Sequence, residues 1–213
     1  MDNQGADRPR SEHDREALLD AMLELAPQTG WMDASLQAAA ERLGLDAGQV
    51  MLACPNGVSD LLDLLARRAA DASLAGLKGQ DLSGLKIRDK VAAGVRAYLA
   101  FLEPHKPAVR RAAGSPYNAL SGPKALWAGA DAIWTGLGDT SVDFNWYTKR
   151  MTLSAVLGST LVAWLGTDDA AEVEAFLARR IENVMEFERF KKQATDFMSR
   201  MPNPFDAMGR KAP

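Results

Sequence analysis

Apolar residues recur along this chain at intervals of three and four, and Gly or Pro closes most of the runs. Leu18, Leu19, Met22, Leu23 and Leu25 form one such face, followed by Pro27 and Gly30. Val91, Val95, Tyr98, Leu99 and Leu102 form another, followed by Pro104. This spacing is that of amphipathic helices, and the alternation that marks half-buried strands is hard to find. The expected fold class is all-α. With 213 residues the chain is long enough to bury a substantial core.

Several kinds of chemistry are disfavoured by the residue inventory. Cys54 is the sole cysteine, so neither an intramolecular disulfide nor a cysteine zinc cluster can form. His13 and His105 are the only histidines, and no Glu-x-x-His pair of the di-iron bundle type is present. Phosphate loops, nucleophile elbows and dinucleotide fingerprints are missing too. The expectation is a protein that is not an enzyme and needs no cofactor. There is no apolar run of transmembrane length.

The first third reads as a small head. Helices are expected up to Pro27, from Ala34 to Leu43, from Asp46 to Ala53, and from Gly57 or Ser59 to about Leu74. This order, with Gly44 at the turn and Ala39-Ala40-Glu41-Arg42-Leu43-Gly44-Leu45 before the third helix, resembles the helix-turn-helix domain of TetR-type repressors. Its charge is wrong for DNA. Residues 1–80 hold 7 Lys/Arg against 13 Asp/Glu, a net −6, and no basic residue lies between Arg42 and Arg67. A reading helix needs cations for phosphates and polar groups for base edges, so no nucleic-acid partner is expected.

Beyond a Gly-rich linker (Gly76, Gly79, Gly84) lies a helical body, in which Ser154, Gly158, Ser159 and Ala163 interleave with Leu153, Leu157 and Trp164. Such a mixture fits tight helix packing or a gap that an apolar ligand fills. Asp139–Arg150 is the most unusual segment: a cap at Thr140, Ser141 or Asp143, then Trp146-Tyr147 and Lys149-Arg150. Neighbours on a helix point about 100° apart, so both aromatics cannot share one narrow core stripe. They serve either as interface anchors or as the edge of a wide apolar face.

This segment, with Asp131-x-x-Trp134 before Gly138-Asp139 and a long apolar helix after it, resembles the ubiquinone-biosynthesis accessory proteins of the Coq-nine lipid-binding family. The resemblance implies a TetR-like all-α fold, with a helix-turn-helix-like head on a larger ligand-binding body and a C-terminal amphipathic helix. It implies a non-enzymatic protein that binds an isoprenoid lipid or ubiquinone intermediate at a membrane surface and presents it to the demethoxyubiquinone hydroxylase. Tyr98, Phe101, Trp127, Met151, Leu153, Leu157 and Trp164 become candidate lipid-binding walls. Asp131, Ile133, Asp143, Trp146, Tyr147 and Arg150 map onto the family's partner-facing patch.

From Asp168 to about Met201 the pattern is helical again, with Thr167 or Asp168 as the expected cap. Its apolar stripe changes face near Met185–Glu188. Either the helix bends or unwinds there, or its end packs on something else; an interfacial membrane helix, a homodimer helix and a core helix are the alternatives. With the family resemblance, Phe187, Phe190, Lys191, Lys192, Phe197, Met198 and Met201 are expected to bind the membrane.

The expected organisation is a disordered leader (1–11), head (12–75), lipid-binding body (85–186), amphipathic membrane helix (187–202) and flexible tail (203–213). Met1–Arg10 resembles neither a signal peptide nor a mitochondrial presequence. The expected location is therefore the bacterial cytoplasm, peripheral on the inner membrane. Two rival readings stay open: a TetR-type repressor with an apolar effector, and a stand-alone lipid chaperone.

Overall fold

The computed structural model describes residues 9–114 and 122–200, the side chains of 187–200 excepted. The described chain is helical, as the periodicity requires: α1 (Arg10–Thr29), α2 (Asp33–Leu43), α3 (Ala47–Ala53) and α4 (Val58–Lys78) come first. α5 (Ile87–Leu102), a 3-10 turn (Glu103–His105), α6 (Lys106–Ala113), α7 (Pro123–Gly136), α8 (Phe144–Gly166) and α9 (Ala170–Arg200) follow. The all-α, TetR-like class expected from the sequence is the one observed.

Local chemistry sets most helix ends. Gly44, at φ +67°, closes α2: its N–H donates to the Glu41 carbonyl while that of Leu45 donates to the Ala40 carbonyl. Only a residue tolerant of the left-handed region makes this turn cheaply. Asp46 and Gln49 cap α3 reciprocally, side chain to backbone in each direction. Three expected boundaries move. Pro27 does not stop α1, because it falls in the last turn, and the Gly30 N–H still closes on the Ala26 carbonyl. Gly76 lies inside α4 rather than in a linker; a Cβ there would come within 3.0 Å of Ala97, so its smallness lets α4 approach α5. The cap of α9 is Asp169, whose carboxylate accepts from the Ala171 N–H at 2.8 Å. Asp168 instead reaches Lys106 and Arg110, each at 3.1 Å.

Head and body share one core. α4 packs on α1 in the head and on α5 and α7 in the body, and α1 packs on α6. The buried apolar residues form a continuous cluster from Leu18 to Ile181. Trp31, the head's aromatic, is buried and donates from Nε1 to the Ala108 carbonyl at 2.8 Å, tying the α1–α2 turn to α6. α9 packs on α8 and α5, and its helix is unbroken through Met185–Glu188. The change of apolar face there is not produced by an unwound turn.

The glycines of α7 and α8 answer one of the questions left by the sequence. A Cβ on Gly129 would meet Leu157 Cδ2 at 2.7 Å, and one on Gly158 would meet Leu126 Cδ1 at 2.8 Å. On these faces small residues mean close helix contact. Space is left on a different face of α8.

Candidate functional site: the α7–α8 corner and the cavity behind it

α7 ends in a left-handed turn. Gly138, at φ +72°, donates from its N–H to the Thr135 carbonyl, and the Asp139 N–H donates to the Trp134 carbonyl. This turn delivers the Asp139 carboxylate into the angle between α7 and α8, where its side chain is only 4% exposed. Asp143, one of the three expected caps, starts α8 by accepting from the Asn145 N–H at 3.0 Å.

Asp139 is the hub of the corner. Lys149 Nζ donates to it at 2.6 Å, Ser141 Oγ at 2.8 Å and Arg150 Nη1 at 3.1 Å. Burial alone would raise its pKa, but the donors from Lys149, Ser141 and Arg150 outweigh that and hold the carboxyl well below the usual range. Arg150 is 2% exposed and also donates from Nε to Asp131 at 2.5 Å. Its guanidinium lies 4.0 Å from the centre of the Trp146 ring, and Lys149 Nζ stands 5.1 Å from that of Trp134. Trp134 donates from Nε1 to the Lys149 carbonyl at 3.1 Å. Two cations, two carboxylates and two indoles thus brace the first turns of α8 against α7.

On that brace stands an aromatic surface. Trp146 and Tyr147 meet edge to face at 4.8 Å, and Trp127 from α7 lies 5.7 Å from Trp146 and 6.4 Å from Tyr147. Trp146 is half-buried, whereas Tyr147 is 59% exposed. Phe144 and Met151 flank Tyr147 at helical spacing and are also exposed.

The opposite face of the same turns borders a cavity of about 300 Å³ between α5, α7, α8 and α9. Val91, Leu153, Val156, Ile181, Val184 and Met185 give it apolar walls, with Trp134 at one side. Arg88, Asn145, Thr148, Lys149 and Thr152 supply a polar edge. It sits at the small end of the range for ligand pockets, roughly 300–1,000 Å³.

The candidates from the sequence distribute unevenly over this geometry. Among the expected lipid-binding residues, Leu153 lines the cavity. Tyr98, Leu157 and Trp164 are instead packed in the core, Phe101 and Trp127 are half-buried elsewhere, and Met151 points outward. Burial pushes the Tyr98 hydroxyl up to about 12. Of the expected partner-facing residues, Asp131, Asp143, Trp146 and Tyr147 reach the surface at least in part. Ile133 does not: it is fully buried against Gly94, because the helical register that turns Asp131 and Trp134 toward α8 turns Ile133 inward. Arg150 is buried as a brace beneath the aromatics rather than as a rim charge. Phe187, Phe190, Lys191, Lys192, Phe197, Met198 and Met201, expected to meet the membrane, lie outside the residues whose side chains are described.

Sequence reasoning missed Asp139 as the hub, and it missed Val91, Val184 and Met185 as walls. A usable signal was present in α8. Asn145, Thr148 and Thr152 share a face with Leu153 and Val156, a mixture suited neither to a dry core nor to open water. Among the described residues no group of His, Cys, Asp and Glu is arranged to hold a metal ion. No described helix is long and apolar enough to cross a membrane.

Comparison with known proteins finds similarity centred on this corner. Residues 119–188 match the COQ9 family model, a span that holds the brace, the aromatics and most of the cavity wall. The chain is 26% identical over 188 residues to ubiquinone biosynthesis protein COQ9, mitochondrial, of Homo sapiens, covering 83% of this chain and 59% of that protein. Against protein COQ9-A, mitochondrial, of Xenopus laevis it is 27% identical over 185 residues, covering 80% and 57%. Against the Drosophila melanogaster COQ9 protein it is 26% identical over 189 residues, covering 84% and 57%. The resemblance to the Coq-nine family read from the sequence holds on this footing. The chain spans somewhat under two thirds of the length of these relatives. They also correct one expectation: they are eukaryotic proteins named as mitochondrial, which overturns the bacterial inner-membrane location. That location rested on the composition of Met1–Arg10, and the composition of one end carries no such information in a chain that matches only part of its relatives.

Proposed function

We propose that this chain acts in ubiquinone biosynthesis as a non-enzymatic accessory protein that binds an isoprenoid quinone intermediate. In this reading the cavity between α5, α7, α8 and α9 takes part of the apolar ligand. The Trp127–Trp146–Tyr147 surface docks the demethoxyubiquinone hydroxylase, and the segment from 187 onward meets the lipid surface. A polyprenyl chain is far too apolar to leave a bilayer unaided, at about 0.8 kcal/mol per CH₂ exposed to water. A protein that covers it lowers that cost. The observation that carries the reading is the placement of an apolar cavity directly behind an exposed aromatic cluster, on two faces of the same turns of α8. The relatives' names support the pathway. The repressor reading has nothing comparable, since the third helix presents no cation.

Two measurements test the two halves separately. Native mass spectrometry of the purified chain, with organic extraction, should find an isoprenoid lipid, and Thr152→Trp, which fills the cavity from α8, should expel it. Lipid retained at full occupancy by a folded Thr152→Trp protein would sink the cavity assignment. Tyr147→Lys should weaken hydroxylase binding by about 2–4 kcal/mol, the scale of an interface hot spot, with the thermal melt nearly unchanged. Full binding by that variant would remove the docking surface.

A further inference from the structure

The helix-turn-helix head carries a second exposed apolar face, far from nucleic-acid chemistry and outside the segment that matches the family model. α3 packs on α1 through Val50 and buried Ala53, whose carbonyl accepts from Arg15 Nε. That orientation turns Ala47, Gly48, Met51, Leu52 and Pro55 outward, positions that repeat every three or four residues. Met51 is 66% exposed and Leu52 71%, and Leu43 at the end of α2 is exposed as well. In a DNA-reading head this is the face that enters the groove. Here it is apolar, and the charged residues of the stretch between Arg42 and Arg67 that carries it are all carboxylates: Asp46, Asp60 and Asp63.

This combination selects its partner by exclusion and by complementarity. Phosphate, whether of nucleic acid or of an anionic bilayer, is repelled by the net charge of −6 on residues 1–80. An apolar helix face in a stretch whose charges are all negative fits the reverse chemistry, an amphipathic helix that brings large apolar groups and cations together. The chain contains such a sequence. Residues 187–200 include Phe187, Phe190, Phe197 and Met198 with Arg189, Lys191, Lys192 and Arg200, against Glu188 and Asp196. The backbone of that stretch is the last part of α9, which packs on α8 and α5 among the described residues. The geometry points to docking of residues 187–200 from a second copy of the chain onto the outward face of α3. The stretch that is apolar enough for a lipid surface is then covered in water by the head of a neighbouring molecule. Head and membrane compete for it.

Sedimentation velocity of the full chain over a wide concentration range, at low and high salt, is the test. The expected result is concentration-dependent self-association that weakens as salt rises. Met51→Asp with Leu52→Asp, and separately Lys191→Glu with Lys192→Glu, should each raise the dissociation constant at least tenfold without shifting the thermal melt. A photo-crosslinking amino acid in place of Met51 should capture peptides from 187–200 between two isotopically distinguished copies. Vesicles containing phosphatidylserine should reduce that crosslink. A chain that stays monomeric throughout would overturn the inference, as would self-association indifferent to both pairs of substitutions. Crosslinking of position 51 to another part of the partner copy would overturn it too. So would a Met51→Asp, Leu52→Asp protein that self-associates normally but loses vesicle binding, because the face would then meet lipid.

Discussion

The head and the α7–α8 corner both expose large apolar side chains at helical spacing, yet they are built in opposite ways. In the head, Met51 and Leu52 stand on a seven-residue helix held by one capping box and its packing on α1. In the corner, Phe144, Tyr147 and Met151 stand over Asp139, Lys149, Arg150 and two indoles locked together by charge-assisted hydrogen bonds and cation–π contacts. Exposure is similar, but support is not. A surface braced from beneath loses little conformational freedom when a partner arrives, so more of its contact energy survives as affinity. Substitution should separate the two: the head's face can be changed with little effect on folding, whereas the corner cannot lose its brace.

The largest expected effect lies in that brace. Arg150→Met keeps length but strips Asp139 and Asp131 of a shared guanidinium, leaving Asp139 buried with Lys149 and Ser141 alone. Breaking a buried pair from one side costs roughly 3–5 kcal/mol, read by urea denaturation. A loss below about 1 kcal/mol would make the brace no more important than the head's cap. Next comes the close approach of the two helices. Gly129→Ala forces Leu157 and Tyr98 aside and should destabilise by about 1–3 kcal/mol. A neutral result would mean that α7 and α8 can part without strain.

The smallest effect concerns pH. The folded state lowers the pKa of Asp139, so its contribution is fully present above the unfolded carboxylate value of about 3.9. It is lost as pH falls from there toward the lower folded value. Asp139→Asn should therefore be less stable than the parent at neutral pH and should converge with it in acid. A constant gap from pH 7 to pH 2.5 would show that the charge of Asp139 does not matter. Asp46→Asn in the head, whose cap needs only an acceptor, is the contrasting control.

How much of this was legible follows from the range of the interactions involved. Gly44, Gly138, Asp46 and Asp143 act on backbone groups within a few residues, and their roles as stops and caps can be read directly from their neighbours. Trp146 and Tyr147 were recognisable as unable to share a core stripe, and the structure divides them accordingly, one half-buried and one exposed. Ile133 falls outside the surface patch because the register that turns Asp131 and Trp134 toward α8 turns it inward against Gly94. Tyr98 and Leu157 lie in the core rather than on the cavity because large apolar residues on facing helices line a cavity or fill it depending on spacing, and Gly129 lets both pack close.

The helices, their stops, the charge of the head and the aromatic-cationic segment can all be read from the residues in order, since they rest on local hydrogen bonding, helical period and composition. Packing between distant helices puts Asp139 at the centre of the corner. It also opens the cavity on the Thr148–Val156 face of α8 and brings Val91 from α5 and Val184 from α9 to its walls. Those arrangements depend on how helices distant in sequence come to rest against one another, and close packing fixes that through the shapes of all the contacting side chains at once.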